Sequence, residues 1–213
     1  MVNMIETLPL IWAFATLFVV MDPIGLAPIF VALTQGIEPT KRKAIGLRAC
    51  VIAFVILALF GFFGDAVLGF AGISMPAFQI AGGALLFLTA MEMLFELRAK
   101  RRSTKGDELD DDDRDPSVFP LATPLIAGPG AIASIILLIN EAQGNLLQQI
   151  SVIVVMGAVV LATFVLFMLA GFMERALGQT GILVVSRVLG MLLAALAVQF
   201  ILNGLLGFSA TFG

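Results

Sequence analysis

The chain has 213 residues, 60% of them hydrophobic and 13% charged, with a formal net charge of −3 and a mean hydropathy of +1.08. A soluble domain is about 45–50% apolar and about 25% charged, so a water-soluble globule is excluded. His and Tyr are absent and Cys50 is the single cysteine, which excludes histidine relays, tyrosine chemistry and an internal disulfide.

Six spans are predicted, at 6–34, 45–64, 75–97, 118–140, 150–172 and 186–207. Each holds about the 20 apolar residues that cross ~30 Å of hydrocarbon at ~1.5 Å per residue. The runs lack the ten-residue alternation of membrane strands, so an all-α polytopic membrane protein is expected. The first run has no basic start and passes any plausible cleavage site, and is expected to be a retained span. It is broken near its middle by Asp22-Pro23-Ile24-Gly25, with Pro28 one turn later. The third span opens with Gln79 and Gly82-Gly83. A polar segment follows, Arg98 to Asp115, with a basic start and an acidic run from Asp107 to Asp113. Charge blocks of this kind are solvated, so residues 98–117 read as a cytoplasmic linker whose basic start can meet anionic headgroups. The fourth span is broken by Ala127-Gly128-Pro129-Gly130, preceded by Pro124, and the sixth carries Arg187, Gly190, Gln199 and Asn203.

Orientation follows from the basic residues, because cytoplasmic loops hold the positive excess. All twelve Lys and Arg flank the connections between spans 1 and 2, 3 and 4, and 5 and 6. The predicted topology is therefore six spans with both termini outside. Residues 1–97 and 118–213 read as two three-helix repeats. Pro23 pairs with Pro129 at an offset of 106, and Gln79 and Gly82 find Arg187 and Gly190 at an offset of 108. Three spans per half make the second half enter from the opposite side, an inverted-topology arrangement with helices 1 and 4 broken.

Proline removes a backbone donor, and the groups freed at a break must be buried in protein or line a wet cavity. Both breaks fall near mid-membrane, where half-helix starts carry partial positive charge and suit a carboxylate. Freed carbonyls suit an ammonium or a cation, so a zwitterion fits both. Kinks of this kind also serve packing alone. Asp22 is the central residue, since a carboxylate at mid-membrane is costly. It can cap the half-helix opened by Pro23, bind an amine, or couple to a proton or cation. The candidate substrate-binding set is Asp22, Pro23, Gly25, Thr123, Gly128, Pro129, Gly130, Ser134, Arg187 and Gln199. Thr123 and Ser134 offer hydroxyls beside the second break. Arg187 either snorkels to headgroups or meets a substrate carboxylate, Asp22 or Glu92. Gln199 and Asn203 share a helix face and serve as interhelical glue or substrate contacts. Gly82, Gly83 and Gly190 are expected to allow close backbone approach.

Asp22-Pro23-Ile24-Gly25, the stretch from Pro120 to Gly130, and Arg187 through Phe200 together resemble the MarC family over nearly the whole chain. The resemblance implies a six-span bacterial inner-membrane protein, related to the LysE superfamily of exporters, with one archaeal branch described as a small neutral amino acid transporter. The expected function is secondary transport of a small polar, zwitterionic solute. The alternative is a structural or regulatory membrane protein acting through partners or lipids. An enzyme is not expected: metal-ligand clusters are missing, and no serine has a base at matching depth. No cofactor and no nucleic-acid partner are expected, and a homo-oligomer is left open.

Overall fold

The computed structural model describes residues 4–95, 115–142 and 145–212, and every regular element among them is helical. The charged linker expected at 98–117 therefore lies outside the described residues up to position 114. The elements are α1 (Met4–Met21), α2 (Pro23–Leu33), α3 (Pro39–Phe70), α4 (Met75–Leu94), α5 (Ser117–Ile126), α6 (Pro129–Glu141) and α7 (Leu146–Phe212). Helix α7 turns at Gly178, whose φ of 64° lies where glycine is favoured, and its arms are Leu146–Gly178 and Thr180–Ser209. The connection expected between spans 5 and 6 is thus helical on both sides of that residue. With no proline there, nothing else in the sequence stops either helix.

Among the described residues, five helices are each long and apolar enough to cross a membrane, with α1 and α2 counted together as Leu10–Leu33. A sixth crossing is made if α5 and α6, bent by 56° at their junction, form one span. Their course along α3 bears on this. Asp115, just before α5, meets Arg48 in the first part of α3, whereas Ile135 and Ile139 of α6 pack at Gly61 and Ile136 packs at Gly64. Gly64 lies about 24 Å beyond Arg48 at helical rise. The pair advances along α3 as a broken span does, instead of returning to its starting level.

Helix α6 is the centre of the fold. Nearly every residue from Gly130 to Ile139 is buried, as expected for a helix apolar on all sides. It packs against α1, α3, α4 and α7. The outer helices instead turn large apolar side chains outward, among them Val55, Phe63, Leu88, Val154 and Leu202. In lipid such side chains gain little from mutual burial, and association rests on close packing of small residues. The second arm of α7 packs antiparallel on α4 in this way. A methyl group added at Gly83 would lie 2.7 Å from Ala197 O, and one at Gly204 would lie 2.8 Å from Pro76 O. Gly190 approaches Ala90 O and Met93 Cβ, while Gly82 faces Ala133 of α6. The close approach expected at Gly82, Gly83 and Gly190 is therefore present.

Candidate functional site at the two helix breaks

The first break is a single residue wide. Asp22 takes a left-handed conformation (φ 49°, ψ 60°), uncommon outside glycine but tolerated by Asp. Its N–H still closes α1 on Phe18 O at 3.0 Å, and its carbonyl accepts from Leu26 N at 3.0 Å. Its side chain is buried, and Oδ1 accepts from the Gly25 N–H at 3.0 Å, capping α2 with Pro23 at the first helical position. Pro23 has no N–H, and that of Gly25 serves the carboxylate. The carbonyls of Val19 and Met21 thereby lose the donors an unbroken helix would supply. Gly25 leaves the carboxylate its room, because a methyl group there would sit 2.1 Å from Asp22 Oδ2 and 2.9 Å from Ser186 Oγ. The Ser186 hydroxyl, from the second arm of α7, thus closes over the same point.

The second break is wider. The α5 segment coils loosely, with Leu121 N donating to Pro116 O and Ala127 N to Ala122 O, and with extended residues at Phe119 and Thr123. The prolines at 120 and 124 explain this, since each removes a donor and disfavours helix in the residue before it. Helix α6 then starts with Gly128 as its cap and Pro129 at the first position. Gly128 is close-packed, because a methyl group there would lie 2.7 Å from Pro124 O. Among the described residues no side chain caps this start, and the first intrahelical bond is from Ile132 N to Gly128 O. The N–H groups of Gly130 and Ala131 therefore have no acceptor within the helix, although both residues are buried.

The fold brings the two breaks together. A methyl group on Gly130 would lie 3.4 Å from Val20 Cγ1, 2.9 Å from Leu86 Cδ2 and 3.8 Å from Thr89 Oγ1. From this meeting point α2 runs towards the start of α3, where Phe30 packs on Gly46, while α6 runs towards Gly64. The half-helices start side by side and point in opposite directions. Their starts lie about 16 Å and about 20 Å from the far ends of α2 and α6, near the middle of a ~30 Å core. Ser134 on α6 and Thr16 on α1 are fully buried, with hydroxyls that have no hydrogen-bond partner among the described residues.

Of the sequence-derived set, Asp22, Pro23, Gly130 and Ser134 are buried, and Gly25 and Gly128 are half-buried. Thr123, Pro129, Arg187 and Gln199 are exposed, and Gln199 Nε2 donates to Asn203 Oδ1 at 2.7 Å along its own helix. Ser186, Thr89 and Thr16 are the residues sequence reasoning missed. Ser186 was legible as the polar member of a small-residue stripe with Gly190 and Ala194, and Thr16 as a hydroxyl in an otherwise apolar run. At the basic end, burial pushes the Asp115 carboxyl up. The N–H of Ser117 and the Arg48 guanidinium outweigh it and hold the group below the usual carboxylate range.

A family profile described as "MarC family integral membrane protein" matches residues 8–209. The chain belongs to the MarC family. Among MarC relatives, membrane protein MJ0972 of Methanocaldococcus jannaschii is 38% identical over 92% of this chain and 86% of its own length. Membrane protein YvbG of Bacillus subtilis is 36% identical over 93% of this chain and 94% of its own. The inner membrane protein YhgN of Escherichia coli is 32% identical over 92% and 95%. No solved structure matches this MarC chain. The match takes in both breaks and all six predicted spans but for the first two residues of span 1, so the chain is an integral membrane protein of this family.

Proposed function

We propose that this chain is a secondary transporter of a small polar, zwitterionic solute such as a neutral amino acid. In this reading it lies in the bacterial inner membrane as two inverted three-helix halves with both termini outside. The observation that carries it is the pairing at one depth of a buried carboxylate, Asp22, with a buried helix start, that of α6, which has no side-chain cap. The uncapped N–H groups suit a solute carboxylate, and Asp22 suits its ammonium group or a coupling proton or cation. The buried hydroxyls of Ser134 and Thr16 supply further polar valences. The inverted halves are supported by the opposite courses of α2 and α6 from one meeting point.

Val20 and Leu86 pack against Gly130, so passage requires a second conformation in which α6 parts from α1 and α4. That packing also favours a second reading, a non-transporting membrane protein whose breaks serve only to shape the bundle. Flux measurements in proteoliposomes separate the two. Radiolabelled alanine, glycine or serine is expected to move down an imposed gradient through the wild-type protein. Asp22→Asn should keep the fold, since Asn caps a helix as well as Asp, and should lose coupled flux. Absence of flux for every such solute, with and without ion gradients, favours the static reading.

A further inference from the structure

A cavity of about 350 Å³ opens between the start of α3 and the end of the first arm of α7, away from the two breaks. Arg42, Lys43 and Arg175 line it, with Phe167 and Phe172 as part of its wall. Glu38, whose carboxylate accepts from the Thr40 hydroxyl, and Glu174 are not among its lining residues. The Arg42 guanidinium lies 5.2 Å from the Phe30 ring centroid, and Phe30 stacks on Phe167 at 4.5 Å, so one cation is held in place by a packed aromatic pair.

The seam between these two helices continues into a second groove of about 290 Å³ that is almost wholly apolar. Leu47, Val51 and Phe54 form one wall, and Gly157, Leu161 and Phe164 the other. Leu47 is one turn beyond Lys43 and Phe164 one turn before Met168, so the groove begins where the basic cavity ends. Gly46 against Met168 and Gly157 against Phe54 fix the antiparallel register of the seam. From Arg42 to Phe54 it runs about 18 Å, close to the ~15 Å of hydrocarbon in one leaflet.

We propose that this seam is a binding site for an anionic phospholipid. Its phosphate and headgroup charge sit among Arg42, Lys43 and Arg175, and one acyl chain lies along Leu47, Val51, Phe54 and Leu161. Among the described residues, three cations line the cavity with no carboxylate beside them, which calls for an anion, and an apolar groove of leaflet depth directly below them calls for a chain. A soluble phosphate satisfies the first demand alone, and a zwitterionic lipid brings the chain with a phosphate whose charge its own headgroup cation offsets. The proposal is independent of the transport reading, because it uses none of the residues at the breaks.

The test uses the full chain in detergent, with thermal unfolding and native mass spectrometry as readouts. The probes are phosphatidylglycerol, phosphatidylcholine with the same acyl chains, and glycerol phosphate. Phosphatidylglycerol is expected to raise the unfolding midpoint and to remain bound at one copy per chain, and the other two to do neither. Lys43→Gln with Arg175→Gln, which leaves the Arg42–Phe30 contact intact, should weaken phosphatidylglycerol binding about thirtyfold. Leu161→Trp, which fills the groove, should weaken it with the cations unchanged. Equal binding of the two lipids overturns the proposal, and so does glycerol phosphate binding as tightly as phosphatidylglycerol. Should the variants fail to fold, the three-probe comparison on the wild-type chain decides.

Discussion

Gly25→Ala probes the first break most directly. The added methyl group would lie 2.1 Å from Asp22 Oδ2, 2.8 Å from its Cγ and 2.9 Å from Ser186 Oγ. Unstrained contacts sit at about 3.5 Å, so the carboxylate must swing away and give up its bond from the Gly25 N–H. Loss of a cap costs about 1 kcal/mol, and forcing a methyl group into this packed point adds an overpacking cost of about 1–3 kcal/mol. Alanine recovers up to about 1 kcal/mol of helix propensity. The expected net cost is about 1–4 kcal/mol, read as a lower unfolding midpoint in a fixed detergent. A double-mutant cycle isolates the cause. In an Asp22→Ala background the obstacle is gone, so Gly25→Ala should cost far less, with a coupling of about 1–2 kcal/mol. Costs that add within ~0.5 kcal/mol would show that the carboxylate and the glycine do not constrain each other, and would refute the argument.

Three further outcomes are expected. Gly83→Ala should destabilise by about 1–3 kcal/mol, because its methyl group would meet the backbone oxygen of Ala197, which has no rotamer to escape through. Gly171→Ala, with nothing within 4 Å, should instead stabilise by up to about 1 kcal/mol, and matched unfolding curves that rank the pair the other way would sink the packing account. Asp115 supplies a pH effect. Its folded-state carboxyl is held below the usual value of 3.8, so its stabilising contacts are complete above that pH and fade as pH falls through the folded value. Both partners are well exposed, so the pair contributes under about 1 kcal/mol, and Asp115→Asn should flatten the acid limb of the stability profile slightly. An unchanged acid limb in that variant would assign the effect to other groups.

Much of the helical framework was legible because the bilayer leaves so few options: apolar runs of sufficient length become spans, and Pro with Gly marks where they break. The positions of α2 and α6 follow almost directly from Asp22-Pro23 and Gly128-Pro129. What hydropathy could not give was which side of each helix faces inward. Thr123, Arg187 and Gln199 have the right chemistry and the right spans, yet each is exposed, and Gln199 pairs with Asn203 along its own helix. Ser186 differs from Arg187 by one position and about 100° of helix rotation, and that rotation carries it to Gly25. Composition read along a single span is blind to this. The cue lay in the neighbouring small residues, because Gly190 and Ala194 share a face with Ser186, and small residues mark helix contacts in a membrane. The basic cavity was missed for a related reason. Arg42 and Arg175 belong to different connections and meet only through the antiparallel register of α3 and the first arm of α7.

The two breaks resemble each other in backbone and differ in how their first N–H groups are satisfied. Helix α2 carries its own acceptor, since Asp22 turns back onto Gly25, and it is complete without a ligand. Helix α6 has no such acceptor, and its cap, Gly128, cannot supply one. A Ser, Thr, Asn or Asp cap at that position would be worth only a few tenths of a kcal/mol over glycine. Glycine is held there by the close approach of Pro124 O, which leaves two buried donors to be met from outside the helix. An arriving carboxylate would meet them and bring with it, in a zwitterion, an ammonium group of the sign that Asp22 favours. Protonation of Asp22 would remove that preference and leave the α6 donors unchanged. A proton and the ammonium end of a solute would therefore compete for one carboxylate while the solute's other end stays bound, and that competition is the physical requirement for exchanging one against the other.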